Sequence, residues 1–262
     1  MSNRIAERLR QLLGPDGVEW SPDHVPRALP DSTEAAARVC LEAFTSGWHV
    51  RLEGRGSWQP TDAPADLTLS SAAIDQVTAV HAADLMASAG AGIPMDQLGH
   101  RLQEAGTWLA IDAPGRPDRS LGSVVATGTT GALRHALGSV RDQIVGCTVV
   151  TGDGRIIKAG GRVTKNVAGY DLTKLQVGGF GGFGFVTELH LRLRALPEAD
   201  VTLVTHGDRD PLTLLARNLE ESGMDAACCE LLSPAASASA TWTLAIRLIG
   251  PCLLYTSDAA DE

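Results

Sequence analysis

Of the 262 residues, 28 are glycine, and many gather in three segments whose order constrains this chain more than any other feature. The first, Gly54-Arg55-Gly56-Ser57, leaves the end of an expected strand over 48–52. Glycines there let successive backbone N–H groups converge on an anion, and the hydroxyl adds a donor. A pyrophosphate is the natural guest; an ordinary strand-exit turn is the alternative. The second, Ser120-Leu121-Gly122-Ser123-Val124-Val125-Ala126-Thr127-Gly128, is dominated by small residues and hydroxyls. A short helix starting near Leu121 would aim its first amides at phosphate oxygens. Tight packing of that helix on a sheet is the competing account. The third, Gly178-Gly179-Phe180-Gly181-Gly182-Phe183-Gly184, formally contains G-x-G-x-x-G at Gly179, Gly181 and Gly184. That fingerprint needs a strand before it and a helix after it. Here an expected helix precedes and an alternating strand follows, so a crowded turn laid against a flat ring is the better account.

Just before the third segment lies Thr164-Lys165-Asn166-Val167-Ala168-Gly169-Tyr170-Asp171-Leu172, which packs a cation, an amide, a phenol and a carboxylate into seven positions. Two plainer roles compete: Asp171 capping the next helix, and Lys165 solvated.

Around these segments the pattern mixes strands and helices without strict alternation, which predicts an α+β chain. Ile5, Leu9, Leu12 and Leu13 share one face of an N-terminal docking helix. The Pro-rich stretch 23–30 reads as a loop. Asp31-Ser32-Thr33-Glu34 caps an Ala-rich helix that runs to about 46 and stops at Gly47. Extended stretches are expected at 66–69 and 76–80, a small-residue turn at 89–92, a helix over 94–104 and a strand over 107–111. A loop-rich stretch, 114–131, holds a small helix centred on Val124. A hairpin joins 145–150 to 155–159 through Thr151-Gly152-Asp153-Gly154. A helix follows at 170–176. In the strand 185–194, Leu189, Leu191 and Leu193 face one way, and His190, Arg192 and Arg194 the other. A strand at 201–204, a helix at 211–221 and a strand at 241–248 begin another domain. His135 is placed on a loop and His190 on an exposed strand face, so neither reads as a base.

Charge and composition exclude several functions. The net charge of −9 and the 4% aromatic content leave neither a basic stripe nor a stacking platform for nucleic acid. Cys40, Cys147, Cys228, Cys229 and Cys252 lack the spacing of a metal knuckle or a redox pair, so no metal site is expected and the thiols read as reduced and mostly buried. No run approaches the roughly 20 apolar residues of a membrane span.

In combination, the three segments are far more specific than any one of them. With Gly138-Ser139-Val140-Arg141-Asp142, then Val145-Gly146, then TKNVAGYDL, the chain resembles the FAD-binding (PCMH-type) domain of the vanillyl-alcohol oxidase / p-cresol methylhydroxylase flavoprotein superfamily. Within it the likeness is to the FAD-binding subunits of bacterial glycolate oxidases, and it covers about 22–197. The resemblance implies two α+β subdomains, 22–112 and 113–197, with FAD between them. A helix and linker (1–21) would precede them, and a substrate or cap domain would begin at 198–250. It implies that Gly54, Arg55, Gly56 and Ser57 wrap the pyrophosphate. Ser120, Leu121, Gly122, Ser123, Ala126, Thr127 and Gly128 would hold pyrophosphate and ribose, with Arg141 and Asp142 bracing them. Gly184 and Val186 would meet the adenine end. Three positions depart from the usual pattern: Arg55 and Ser123 replace glycines, and Gly182 stands where threonine is common. No histidine follows Gly56 directly, so FAD is expected to be non-covalent.

The implied reaction is oxidation of a small 2-hydroxy acid such as glycolate by hydride transfer to flavin N5. Lys165, Asn166 and Tyr170 are the candidate groups near the flavin, the other substrate groups coming from the cap domain. A second flavin subunit and an iron–sulfur subunit are the implied partners, the latter because no cysteine set here could hold a cluster. The implied location is cytoplasmic, or peripheral at the inner membrane through those partners. A stand-alone oxidase for another alcohol and a non-catalytic assembly subunit remain as alternatives. The last stretch, 251–262 (PCLLYTSDAADE), breaks in character and reads as a non-native tail on a truncated chain.

Overall fold

The computed structural model describes residues 2–57, 64–161 and 171–250. In chain order its elements are α1 (Ser2–Leu13), β1 (Val18–Trp20), β2 (Pro26–Ala28), α2 (Thr33–Ser46), β3 (Val50–Glu53), β4 (Leu67–Ser70), β5 (Val77–His81), β6 (Met86–Gly90), α3 (Met95–Glu104), β7 (Thr107–Trp108), α4 (Leu121–Thr127), α5 (Arg134–Leu137), α6 (Val140–Gln143), β8 (Ile144–Val150), β9 (Ile156–Gly160), α7 (Leu172–Gln176), β10 (Phe185–Arg192), β11 (Arg194–Ala195), β12 (Ala199–Gly207), α8 (Arg209–Glu221), β13 (Cys228–Leu232), α9 (Pro234–Ser237) and β14 (Trp242–Gly250). They divide into two units. One comprises 1–109, 113–129 and 140–195; the other comprises 110–112, 130–139 and 196 onward.

The first unit contains two main sheets. In the four-stranded one, ordered β1-β2-β4-β3, β4 runs parallel to both neighbours and is buried along its whole length, as strands covered on both faces are. Helix α2 packs here because its small and apolar residues recur on one face: Ala36, Val39, Cys40 and Ala43 join Ile5 and Leu9 of α1 and Leu67 and Leu69 of β4 in one core. The Ser32 hydroxyl accepts from the Ala35 amide at 3.3 Å, the cap expected from sequence.

The second sheet is antiparallel, ordered β5-β6-β10-β8-β9. The alternation of β10 is as read: Leu189 and Leu191 are buried, with Leu193 just beyond the strand, while Arg192 and Arg194 are exposed. The hairpin β8–β9 forms, pairing Val150 with Ile156.

Several expectations are corrected. The stretch 89–92 is not simply a turn, because Ala89 and Gly90 complete strand β6, buried throughout. Its small side chains let neighbouring backbone close in. The Pro-rich stretch 23–30 contains β2, which starts on Pro26, a position where the missing N–H is tolerated. His190 is half-buried rather than on an open face, 2.8 Å from the Ser88 hydroxyl. The strand over 107–111 shortens to Thr107–Trp108, paired with β11.

In the second unit, β12, β14 and β13 form an antiparallel sheet in that spatial order. Helix α8 packs on it through Leu212 against Leu244, Ile246 and Leu248. Strand β13 carried no sequence signal that was recognised. His135 lies on helix α5, exposed, rather than on a loop. The Asp112 carboxylate accepts from the amides of Gly131 and Leu133, both at 3.0 Å, and so pins the start of that helical segment.

Cys40, Cys147 and Cys228 are buried free thiols and Cys229 is exposed. Burial pushes the thiols of Cys40 and Cys147 up to about 11, so both stay protonated at neutral pH. Among the described residues no helix is long and apolar enough to cross a membrane.

Candidate functional site

The three glycine segments all belong to the first unit and are built against one another around α4. Strand β3 delivers the first. Its exit is held from below: Arg27 bonds Glu53 through Nε, Glu19 through Nη1 at 3.1 Å and the Ser70 hydroxyl through Nη2 at 3.0 Å. Ser70 in turn donates to the Gly54 carbonyl at 2.6 Å. Gly54 lies so close to the second segment that a methyl group on it would stand 2.0 Å from Ser120 Oγ and 3.3 Å from Ser123 Cβ. Gly56 adopts a left-handed backbone, φ 72°. Among the described residues the amides of Arg55, Gly56 and Ser57 have no backbone acceptor. The Ser57 hydroxyl is buried and also lacks a partner there. A buried hydroxyl left without a partner is costly. Beside unclaimed amides and a left-handed glycine, it has the chemistry of an anion nest.

The second segment behaves differently from the sequence reading. Helix α4 forms where expected, capped by Ser120, whose hydroxyl accepts from the Ser123 amide at 3.3 Å. Its first amides are already used: Leu121 donates to Ile93 O at 2.9 Å and Gly122 to Ala91 O at 2.7 Å. They are therefore not aimed at phosphate oxygens, and the packing account holds for this helix start. What the segment offers instead is a fixed platform.

Arg119, which carried no recognised signal, fixes that platform. It is 1% exposed. Its guanidinium donates to Ser123 Oγ (3.2 Å), Ser123 O (3.2 Å), Thr127 Oγ1 (2.5 Å) and Pro114 O (2.8 Å). Burial pulls its pKa down from the ordinary arginine value. Ser123 and Thr127, one helical turn apart, form the polar stripe it grips. In sequence an arginine between Asp118 and a small-residue run reads as solvated, so only the fold reveals it.

The third segment is stitched to the far end of α4. Gly178 N donates to Val125 O at 3.0 Å and Phe180 N to Ala126 O at 2.8 Å. A methyl on Gly128, φ 63°, would meet Gly178 backbone at 3.3 Å. Gly184 leads into β10, where Val186 is half-buried and pairs with Val149. Arg141 and Asp142 are exposed on α6, which packs against α4. Asp171 caps α7 by accepting from the Lys174 amide at 3.1 Å, so the plainer of its two readings is present. Lys165, Asn166 and Tyr170 lie outside the described residues.

Two departures from the family pattern acquire a reason. Arg55 turns its side chain out of the loop, toward Ala72 O at 3.2 Å and Asp75 at 3.9 Å, so the missing glycine does not crowd the nest. Ser123 gives Arg119 an acceptor that a glycine could not.

A family model described as FAD binding domain matches residues 27–160, just over half of the chain. The glycolate oxidase subunit GlcE of Escherichia coli (strain K12) is 37% identical over 121 residues, covering 46% of this chain and 35% of that protein. A mitochondrial D-lactate dehydrogenase [cytochrome] of Arabidopsis thaliana is 36% identical over 129 residues, covering 49% of this chain and 22% of that one. The chain thus spans about a third or less of these relatives. Among solved structures, an alkyldihydroxyacetonephosphate synthase superposes with a TM-score of 0.83 at 16% identity, over 97% of this chain and 57% of its own, a likeness of fold alone. With the glycine segments converging on α4 and the match running from Arg27 through the β8–β9 hairpin, the chain belongs to the FAD binding domain family of flavoproteins, on the PCMH-type fold.

Proposed function

We propose that this chain is the FAD-binding part of an oxidoreductase that oxidises a small 2-hydroxy acid, with FAD held non-covalently. The observation that carries the cofactor half is the nest at 54–57: amides and a buried Ser57 hydroxyl that have no partner among the described residues, set against α4. These groups fit an anionic diphosphate, which would give each of them an acceptor. Support for the substrate half comes from the relatives, named for glycolate and D-lactate, both 2-hydroxy acids.

When bound, FAD supplies the acceptor for a hydride equivalent at flavin N5. The chain's own task is positional. The loop at 54–57 would donate to the diphosphate, Arg119 keeps Ser123 and Thr127 from shifting, and the turn at 178–184 would close the site's other side. Ser120, Leu121, Gly122, Ala126 and Gly128 shape the platform by close packing. Arg141 and Asp142 would support α4 from α6, and Gly184 and Val186 would meet the adenine end. Lys165, Asn166 and Tyr170 remain the candidates for substrate-side groups. In this reading electrons leave through an iron–sulfur partner subunit, as part of a multi-subunit oxidase.

Purified protein should be yellow, and anaerobic glycolate or D-lactate should bleach it. Colourless protein that takes up no added FAD would overturn the reading, and bleaching by other alcohols alone would overturn its substrate half. Acid precipitation should leave the flavin in the supernatant; colour in the pellet would mean covalent attachment. Ser57→Ala should weaken FAD binding about tenfold, the worth of one hydrogen bond to a charged acceptor. The same change should leave the FAD-free protein at least as stable, since it deletes a buried hydroxyl that has no partner among the described residues. A titration against flavin fluorescence and a melting curve of the FAD-free protein check the two signs.

A further inference from the structure

We propose that Phe180 is a cofactor-contacting residue whose ring provides a face for one flat ring of bound FAD; the inference rests on the FAD reading above. Phe180 has φ 51°, in the left-handed region. For a bulky side chain that conformation is unfavourable, because Cβ crowds the following carbonyl oxygen. Its neighbours Gly178, Gly179, Gly181 and Gly182 are all glycine, and a fifth would suit the turn better. Burial does not compensate, since Phe180 is 73% exposed, more than any other large apolar residue described. Nor can the strain relax, because the Phe180 amide is tied to Ala126 O at 2.8 Å and the Gly178 amide to Val125 O at 3.0 Å.

His24, Leu85 and Ala238 are the other described non-glycine residues with positive φ. Leu85 ends a 3-10 turn and Ala238 ends α9, both ordinary places for a left-handed residue. Phe180 takes the first central position of a tight turn, closed by the Gly182 amide on Gly179 O at 2.8 Å, where positive φ is required and glycine or asparagine is usual; what sets it apart is a large apolar ring left open there, at the edge of the segment that frames the cofactor. A residue disfavoured on both counts in the FAD-free protein is explained by a contact made when FAD is present. Aromatic faces stack on heterocyclic rings, and each such contact has a measurable effect on affinity.

The test is titration of the purified chain with FAD, followed by flavin fluorescence, together with melting of the FAD-free protein. Phe180→Gly should raise the Kd for FAD about tenfold, the scale of one lost stacking contact. It should not lower the melting temperature of the FAD-free protein, because it relieves the backbone. Phe180→Trp keeps a ring and should hold Kd within about threefold of wild type. Wild type that binds FAD beside a Phe180→Gly variant that binds equally well overturns this proposal alone. A Phe180→Gly variant that melts several degrees lower also overturns it, because the ring would then be structural. Wild type that takes up no FAD removes the cofactor reading and this proposal with it.

Discussion

Arg119→Met is expected to lower stability by about 3 kcal/mol, because Pro114 O loses a charged donor and the Ser123 and Thr127 side chains lose their common anchor. Methionine fills much of the volume and removes a buried charge, so part of the loss is offset. In a chain of this size that corresponds to a fall of roughly 6–12 °C in melting temperature. FAD affinity should fall further than stability alone requires, because the polar stripe of α4 is no longer fixed. Arg119→Lys supplies one compact charge in place of a planar fork and should recover only part of either quantity. Melting curves with and without saturating FAD separate the effects. A methionine variant as stable as wild type would show that the guanidinium grips nothing of consequence.

The second large effect concerns Gly54. Its need for glycine is one of space: no side chain fits between it and the second segment. Gly54→Ala puts a methyl 2.0 Å from Ser120 Oγ, and Ser120 is fully buried and caps α4. Rotating the hydroxyl away costs the cap, and separating the segments costs packing. Together these should amount to about 2–3 kcal/mol. Uptake of FAD should fail or weaken by more than tenfold, since the nest and platform would be pushed apart. The double change Gly54→Ala with Ser120→Gly removes the colliding hydroxyl and its Cβ. It should be more stable than Gly54→Ala alone, an interaction of reversed sign between neighbouring sites. Equal or lower stability of the double variant would assign the loss to something other than this collision.

Much of the fold was legible because it rests on local chemistry. The cap at Ser32, the alternation through β10 and the turn of the β8–β9 hairpin are all carried by residues within a few positions of one another. The misread elements are those whose identity depends on distant neighbours. Ala89 and Gly90 belong to a small-residue run that suits a turn, and they become the end of a strand because β5 and β10 pair with β6 on either side. Pro26–Ala28 becomes one because β1 and β4 flank it. The candidate site divides in the same way. Its glycines announce close approach, but which amides remain unclaimed depends on Ile93 and Ala91, about thirty residues before α4. Arg119 looks like any exposed arginine until Pro114, Ser123 and Thr127 close round it.

The place of β10 in its sheet bears on how the protein is made. The hairpins β5–β6 and β8–β9 form from local sequence, yet neither pairs with the other; β10 stands between β6 and β8 and bonds to both. During synthesis the ribosome therefore releases two hairpins with open inner edges, and the strand that joins them comes last. Until 185–192 has emerged, those edges are free to pair with the wrong partner, and the turn at 178–184 has no strand to lead into. A site divided among segments near 54, 120 and 180 has high contact order and is completed late. Completion of the candidate site accordingly waits on β10, and the vulnerable interval for aggregation is the wait for a single eight-residue strand.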